Sequence, residues 1–434
     1  MKFNKPLLTI TLILTAATGT CAAQTIRAYA GIPDPGLSGD GGPAKSAQLN
    51  APGSLALDGA GGLYIVDSNN VRIRRVSADG IITTVAGNGD ADPVVEGPAT
   101  QSPFISVYDI AIDPKGALHI ADGEGLQKVD AQGNLSFVVT GEAFPGVAIS
   151  SLGTIYQGGI TVVWKVESDG TLTQVAGADL GDVSDYGDGG LASDAAFNIT
   201  ALTTDLLGNI YVLDGVHNRV RKFLPGGTIS TLAGTGTADF TGDGGPATQA
   251  ALNQPQGIAV DVAGNVYVSD TENFRIRKIT TDGNIATFAG QTGNTDDSGD
   301  NGAALDAHFY YPGRLAVSCT SLYMVDDQRV RSIELTAPLI AQNGISAGTV
   351  AAGQKFTVSG CNLASAAITA DSTRPLPTIL GNAVVMVNGL LASIVSVSPT
   401  RIVAQLPPGV AAGSATVSVS VTGTGTVSSV MNVI

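Results

Sequence analysis

Charge is scarce in this chain of 434 residues, where Asp, Glu, Lys and Arg together make up 14%. What charge there is leans acidic. Lys and Arg number 22 against 37 Asp and Glu, a formal net charge of -15, which repels a phosphate backbone and argues against a nucleic-acid partner. Histidine is nearly absent: His119, His217 and His308 fall in separate segments at unlike depths, so no metal-ligand set is assigned. No nucleophile elbow with its triad partners is apparent, and no catalytic residue is assigned. Beyond residue 23 no apolar run approaches the ~20 residues that span a bilayer, so no transmembrane segment is expected after that point.

Turn-forming residues, by contrast, are abundant. Gly (56) and Pro (20) punctuate a chain that is 44% hydrophobic, the composition of an ordered, turn-rich β protein. At the start, Lys2 and Lys5 precede an apolar run from Leu7 to Ala17 and the small pair Ala22-Ala23. This is the layout of a secretory signal peptide over residues 1–23, and it places the mature protein in the periplasm, outside the cell or on its surface.

Repeats organise the remainder of the chain. A strand ending in a small residue and Gly recurs at Gly31, Gly87, Gly141, Gly177, Gly234 and Gly290. A second marker, an aromatic residue leading to Asp, recurs at Tyr64 to Asp67, His119 to Asp122, Tyr211 to Asp214, Tyr267 to Asp270 and Tyr323 to Asp326. The third unit offers only Ile155-Tyr156-Gln157 there and is degenerate. Between Gln256 and Gly290 four short β-rich runs are separated by Ala263-Gly264 and Asp282-Gly283, the pattern of one four-stranded propeller blade. Unit six supplies three strands, whereas Ile26-Arg27-Ala28-Tyr29-Ala30-Gly31 has the form of the closing strand Ile82 to Gly87 yet precedes the first complete unit. It is expected to pair with the third strand of unit six and close the ring, which leaves no open sheet edge to aggregate.

The segments Asp58 to Asp67, Gln254 to Asp261 and Asn273 to Lys278 resemble NHL repeats, and Gly242-Asp243-Gly244-Gly245-Pro246-Ala247 is similar to the long connection of bacterial secreted members. The resemblance spans residues 24–335 and implies a six-bladed propeller that serves as a binding or scaffold module; related propellers include lyases and hydrolases. The fold class is therefore all-β: a six-bladed β-propeller closed by its N-terminal strand, followed by an Ig-like β-sandwich.

Gly-Asp-Gly-Gly motifs at residues 39–42, 187–190 and 242–245, with Gly299-Asp300-Asn301-Gly302, lie in long connections from one blade's outer strand to the next blade's inner strand. In an antiparallel blade these share a face with the turn between strands two and three, which makes that face the expected binding surface. Asp67, Asp122, Asp214, Asp270 and Asp326 close strand two ahead of that turn. Their expected work is structural: accepting backbone N–H bonds and pairing with arginines such as Arg72, Arg219, Arg275 and Arg329. The loop residues Asp40, Asp188, Asp243 and Asp300 lack the alternating acidic spacing of a calcium loop, and Asn294 to Asp300 comes nearest to one; no cofactor is assigned, with Ca2+ the one cation considered. At the channel mouth Tyr108, Asp109, Thr200, Gln256 and Arg314 depart from the repeat and form the candidate ligand-binding set, with Arg314 opposing Asp109.

After Leu335 the composition shifts to Val, Ser, Thr and Gly, and residues 336–434 carry Lys355, Arg374 and Arg401 against Asp371. Alternation at Val384 to Gly389 and Ala415 to Val421 predicts a β-sandwich. Val358 to Ala364, the Asn388-Gly389 turn, Ser396 to Ile402 and Gln405-Leu406-Pro407 resemble an Ig-like domain found on secreted repeat proteins of soil bacteria such as acidobacteria, which implies an adhesion or spacing module. Cys319 and Cys361 remain in the mature chain, one per domain, and secretion permits a disulfide between them or two buried thiols. The functional expectation is a secreted, non-enzymatic scaffold for a protein, peptide or glycan. The alternative is a hydrolase or lyase with its site at the channel mouth. No oligomeric state follows from the sequence.

Overall fold

The computed structural model describes residues 24–141, 145–178, 187–291, 297–337, 339–346, 350–351, 353–364, 366–371, 375–421 and 424–433. The expected signal peptide, residues 1–23, lies outside the described residues. Six antiparallel sheets follow one another, their inner strands being Pro52–Leu57, Val107–Ile112, Gly146–Ile149, Ile199–Thr204, Gly257–Val260 and Pro312–Val317. Each inner strand touches that of the blade before and of the blade after, and the first touches the last, so the sheets form a closed ring. Each blade turns two β-rich faces to its neighbours, and buried aliphatic side chains from adjacent blades interleave there. Between blades six and one, for example, Leu55, Ile65 and Val76 pack with Tyr323 and Val330. A single blade has no other way to cover both faces.

Ring closure comes from the start of the chain. Ile26–Ala30 pairs antiparallel with Arg329–Glu334, Ile26 opposite Ile333 and Ala30 opposite Val330, and completes blade six. Ile26 and Ala30 are fully buried. The Ala-rich stretch after each Gly-Asp motif forms one 3-10 turn, as at Ala44–Ser46 and Ala247–Gln249. The residue that follows it inward, Leu49, Phe104, Phe197, Leu252 or Phe309, is buried between blades. Blade two carries a short fifth strand, Gly97–Pro98, on its outer strand Asn134–Thr140.

The chain then builds two further sheets. One runs in the order Leu339–Ser346, Lys355–Cys361, Arg401–Gln405, Ser393–Ser398, Ile368–Thr369; the other pairs Ile379–Leu380, Ala383–Val387, Gly413–Val421 and Gly425–Val433. Phe356, Val358, Val385 and Val417 are among the residues buried between them. The Asn388-Gly389 turn has positive φ at both residues, 47° and 79°, the backbone that a two-residue hairpin requires and that Asn-Gly supplies at least cost. Among the described residues no helix is long and apolar enough to cross a membrane.

Candidate binding site

The strand-two aspartates end their strands with no accessible surface. Each takes the backbone N–H groups of a turn or of the segment that enters its blade. Asn50 N–H donates to Asp67 Oδ1 at 2.7 Å, Asn198 to Asp214 at 2.9 Å and Asn253 to Asp270 at 2.7 Å, while Tyr310 and Tyr311 both donate to Asp326. Asp122 instead accepts from Glu124 N–H and Gln127 Nε2. Burial raises the carboxyls of Asp67, Asp122, Asp214 and Asp270 above their ordinary values. At Asp326 burial and the neighbouring Asp297 together push it up to about 7.

The arginine partners differ from those expected. Asp67, Asp270 and Asp326 pair with Arg74, Arg277 and Arg331, each two positions beyond the expected residue. Both arginines of an Arg-x-Arg pair share one face of strand three, and position along the strand separates them: Arg72, opposite Asp67 at the strand's start, extends to loop carbonyls, whereas the fully buried Arg74, opposite Ile65, reaches back diagonally to Asp67. Arg72, the expected partner of Asp67, donates instead to the carbonyls of Asn70 and Asn88. Arg329 binds Asp297 and Asp300.

The same buried arginines hold the loop aspartates. Arg74 reaches Asp40, Arg221 Asp188 and Arg277 Asp243, each at 2.7 Å, and Arg331 reaches Asp300 at 2.9 Å. Thr84 and Thr287 donate to the second oxygens of Asp40 and Asp243. The loops at Asp40, Asp243 and Asp300 are therefore clamped onto the blades they enter by a guanidinium between two carboxylates, and the loop at Asp188 is held by Arg221. In the segment Asn294 to Asp300, residues 294–296 lie outside the described residues, and Asp297 and Asp300 hold Arg329 and Arg331. The Arg-x-Arg repetition is the sequence signal that marks the clamp.

His119 takes the place of a strand-two tyrosine: its Nε2 lies 3.3 Å from Asp113 Oδ2, as Tyr211 OH donates to Asp205 and Tyr267 OH to Asp261. Burial lowers the imidazole below its ordinary value. His217 pairs with Asp214, and His308 lies beside Gln291 and Ser298.

The residues of the expected channel mouth separate into three groups. Asp109 and Arg314 line a central cavity of about 730 Å³, with Ser54 and Ala201 at the same level of the inner strands. This cavity runs along the inner strands to the turns between strands one and two, at Gly59, Asp113, Ser151, Leu206 and Val262, the face opposite the long connections. Tyr108 stands half-exposed at the start of its inner strand, on the long-connection face. Thr200 and Gln256 are not among the residues lining the cavity: Thr200 tucks under the backbone of Gly215, and Gln256 N–H donates to Ser269 O. Asp109 does not reach across to Arg314. It accepts from Ser54 Oγ, from Ile110 N–H at 3.0 Å and from Val147 N–H at 3.0 Å, and so stitches blades one, two and three together.

The long-connection face carries an apolar collar that the repeat pattern does not reveal. Ile160 and Val216, at the turns between strands two and three of blades three and four, are 66% and 65% exposed. Ile105, Tyr310 and Tyr311, just ahead of the inner strands of blades two and six, are exposed with them, as is Tyr108. Isolated exposed apolar residues are ordinary, but six at the strand two–three turns and inner-strand starts of one face are the composition of a contact surface.

Comparison with known proteins agrees with this architecture. Residues 31–107 and 235–297 match the Teneurin NHL domain, and residues 342–432 match the IPT/TIG domain. The chain is 28% identical over 267 residues to Teneurin-4 of Mus musculus, a match covering 56% of this chain and 8% of that protein. It is 28% identical over 363 residues to Teneurin-3 of Mus musculus, covering 69% of this chain and 13% of that protein. The chain thus spans a small part of the length of these relatives. Among solved structures, a structural genomics protein of unknown function from Bacteroides thetaiotaomicron superposes with a TM-score of 0.57 at 19% identity, covering 72% of this chain and 76% of that one. An auxiliary nutrient binding protein from the same organism superposes with a TM-score of 0.55 at 15% identity, covering 71% and 76%. The chain thus shares NHL-type sequence over residues 31–107 and 235–297 and an IPT/TIG match over residues 342–432, on an all-β fold of propeller blades and a sandwich.

Proposed function

We propose that this NHL and IPT/TIG chain is an exported, non-catalytic binding scaffold that holds a protein, peptide or glycan against the long-connection face of its propeller. The observation that carries the reading is the set of Ile105, Tyr108, Ile160, Val216, Tyr310 and Tyr311, exposed on that face in blades two, three, four and six. Tyrosines with an apolar body and a polar tip suit partners of mixed polarity. The clamps beneath supply rigidity, because Arg74, Arg277 and Arg331 fix loops whose movement would otherwise oppose binding by entropy. Tyr310 and Tyr311 are held by their own backbone N–H bonds to the buried Asp326. The auxiliary nutrient binding protein that shares the fold is one described use of such a propeller for binding. Domain limits at residues 1–23, 24–335 and 336–434 belong to the same proposal, with the Ig-like part as a spacing or adhesion module.

Peptide and glycan arrays probed with the full chain test this reading, with a Tyr108→Ala/Tyr311→Ala variant in parallel and a general hydrolase screen alongside. Binding that falls about tenfold or more in the variant is the expected result. Array binding unaffected by the double substitution, or turnover in the hydrolase screen, overturns it.

A further inference from the structure

The central cavity holds a guanidinium with no partner among the described residues. Arg314 lies on the inner strand Pro312–Val317 of blade six, half-buried, and lines the cavity. Arg74, Arg75, Arg221, Arg277, Arg329 and Arg331 each hold at least one aspartate. Arg314 makes no hydrogen bond or ion pair among the described residues. The carboxylate at its level in the channel, Asp109, is occupied by Ser54, Ile110 and Val147 and is turned into the seams of blades one to three. Leaving a partly desolvated cation uncompensated costs free energy, which an anion entering the cavity recovers.

We propose that the central channel is a binding site for a small organic monocarboxylate, anchored by Arg314. The planar fork of a guanidinium matches the two oxygens of a carboxylate. A cavity of about 730 Å³ is the size of a small-molecule site. Its walls are the unpaired edges of six inner strands, whose backbone N–H and C=O groups serve a polar ligand body, with small side chains such as Ala56, Ala148, Ala259 and Ala316 leaving room.

The outer end of the channel selects against a second negative charge. Asp113, Asp205 and Asp261 line it there, with Lys115 as the one basic residue of the lining at that end. Their oxygens are taken by their own turns: Asp205 accepts from Leu207 N–H, Asn209 N–H, Asn209 Nδ2 and Tyr211 OH, and Asp261 repeats the set with Ala263, Asn265 and Tyr267. They therefore act through their field, which repels a dianion and favours an ammonium group at the end of the ligand away from Arg314. A zwitterion of the size of an amino acid or dipeptide satisfies both ends.

This site is separate from the apolar collar and does not depend on it. The test is calorimetric titration of the full chain with diglycine, diglycine amide, succinate and sulfate, repeated with Arg314→Gln and Arg314→Lys. Diglycine is expected to bind, its amide and the two dianions about tenfold or more weaker, with Arg314→Gln losing about tenfold and Arg314→Lys retaining part of the affinity. The melting temperature of unliganded Arg314→Gln is expected to match that of the parent, because the guanidinium holds nothing in the fold. Equal binding of the amide, tighter binding of sulfate, wild-type affinity in Arg314→Gln, or no diglycine binding up to about 10 mM overturns the proposal. So does a large fall in the melting temperature of unliganded Arg314→Gln, which makes the residue structural. Loss of array binding in Tyr108→Ala/Tyr311→Ala with diglycine affinity unchanged separates the two sites.

Discussion

Arg277 Nη1 lies 3.1 Å from Asp270 Oδ2, and neither side chain has any accessible surface. The guanidinium continues to Asp243 on the loop, at 2.7 Å. Because burial withholds water from the central pair, the arrangement is stable only as a set, and it recurs around Arg74 and Arg331.

Removing one member of that set is expected to be costly. Asp270→Ala strips a buried carboxylate from a buried cation and should destabilise the propeller by about 3–5 kcal/mol. Glu334→Ala removes the partner of Arg27 from a pair in which both side chains are about half-exposed, and should cost less than about 1 kcal/mol. Urea denaturation of both variants gives the comparison; equal costs would contradict the clamp.

The pH dependence of stability should carry the signature of Asp326. Its folded carboxyl stands at about 7, raised above the ordinary carboxylate value near 4, so the folded state holds a proton that the unfolded state releases. The stability contributed by that proton is fully present below the unfolded value and declines as pH rises from about 4 to about 7. Asp326→Asn keeps an acceptor for Tyr310 and Tyr311 without the titration. Its stability relative to the parent should therefore rise across this window, and parallel pH profiles for the two proteins would count against the assignment.

Gly257 is required by the approach of blades five and six. A Cβ at this position would stand 2.2 Å from Gly313 O and 3.0 Å from Arg314 Cα, both backbone atoms that no rotamer change can move. Gly257→Ala should force the inner strands apart and cost about 1–3 kcal/mol, read as a fall in melting temperature. A melting temperature equal to the parent's would show that the ring accommodates the methyl group.

Cys319, in the turn between strands one and two of blade six, is bonded to Cys361, with 5.1 Å between Cα atoms. Beside them Asn362 Nδ2 donates to the carbonyls of Cys319 and Leu335. Intact mass should rise by about 2 Da on reduction under denaturing conditions. Closing a loop of 42 residues, the bond should contribute up to about 4 kcal/mol on the loop-entropy estimate, measured in Cys319→Ser/Cys361→Ser. An unchanged mass would mean that both thiols are free.

Much of the architecture could be read from the chain. Period and punctuation alone led to four strands per unit, and the displaced strand at Tyr29 pointed to its partner, because a blade short of one strand leaves an edge that only a matching segment can fill. The aspartates at the ends of strand two were legible as structural residues, but their partners were not. Arg72 and Arg74 are chemically identical and lie on one face of strand three, and only the register, with Arg72 opposite Asp67 at the strand's start and Arg74 opposite Ile65 further in, decides which guanidinium is buried. His119 was readable as a stand-in for tyrosine because it occupies the repeat position of Tyr211 and Tyr267.

The candidate site was less legible. Tyr108, Asp109, Thr200, Gln256 and Arg314 stand out in the repeats as a group, yet they scatter to an exposed collar, a cavity wall and two packed positions. The amino-acid sequence by itself determined the class of fold, the repeat number and the closing strand, because these follow from local periodicity and from the need to cover every sheet edge and face. The tertiary structure alone decided which arginine is buried, which face the cavity opens toward, and that Asp109 is occupied while Arg314 has no partner among the described residues. Those depend on the direction of single side chains across blades distant in sequence, where one residue of offset turns a group from core to channel.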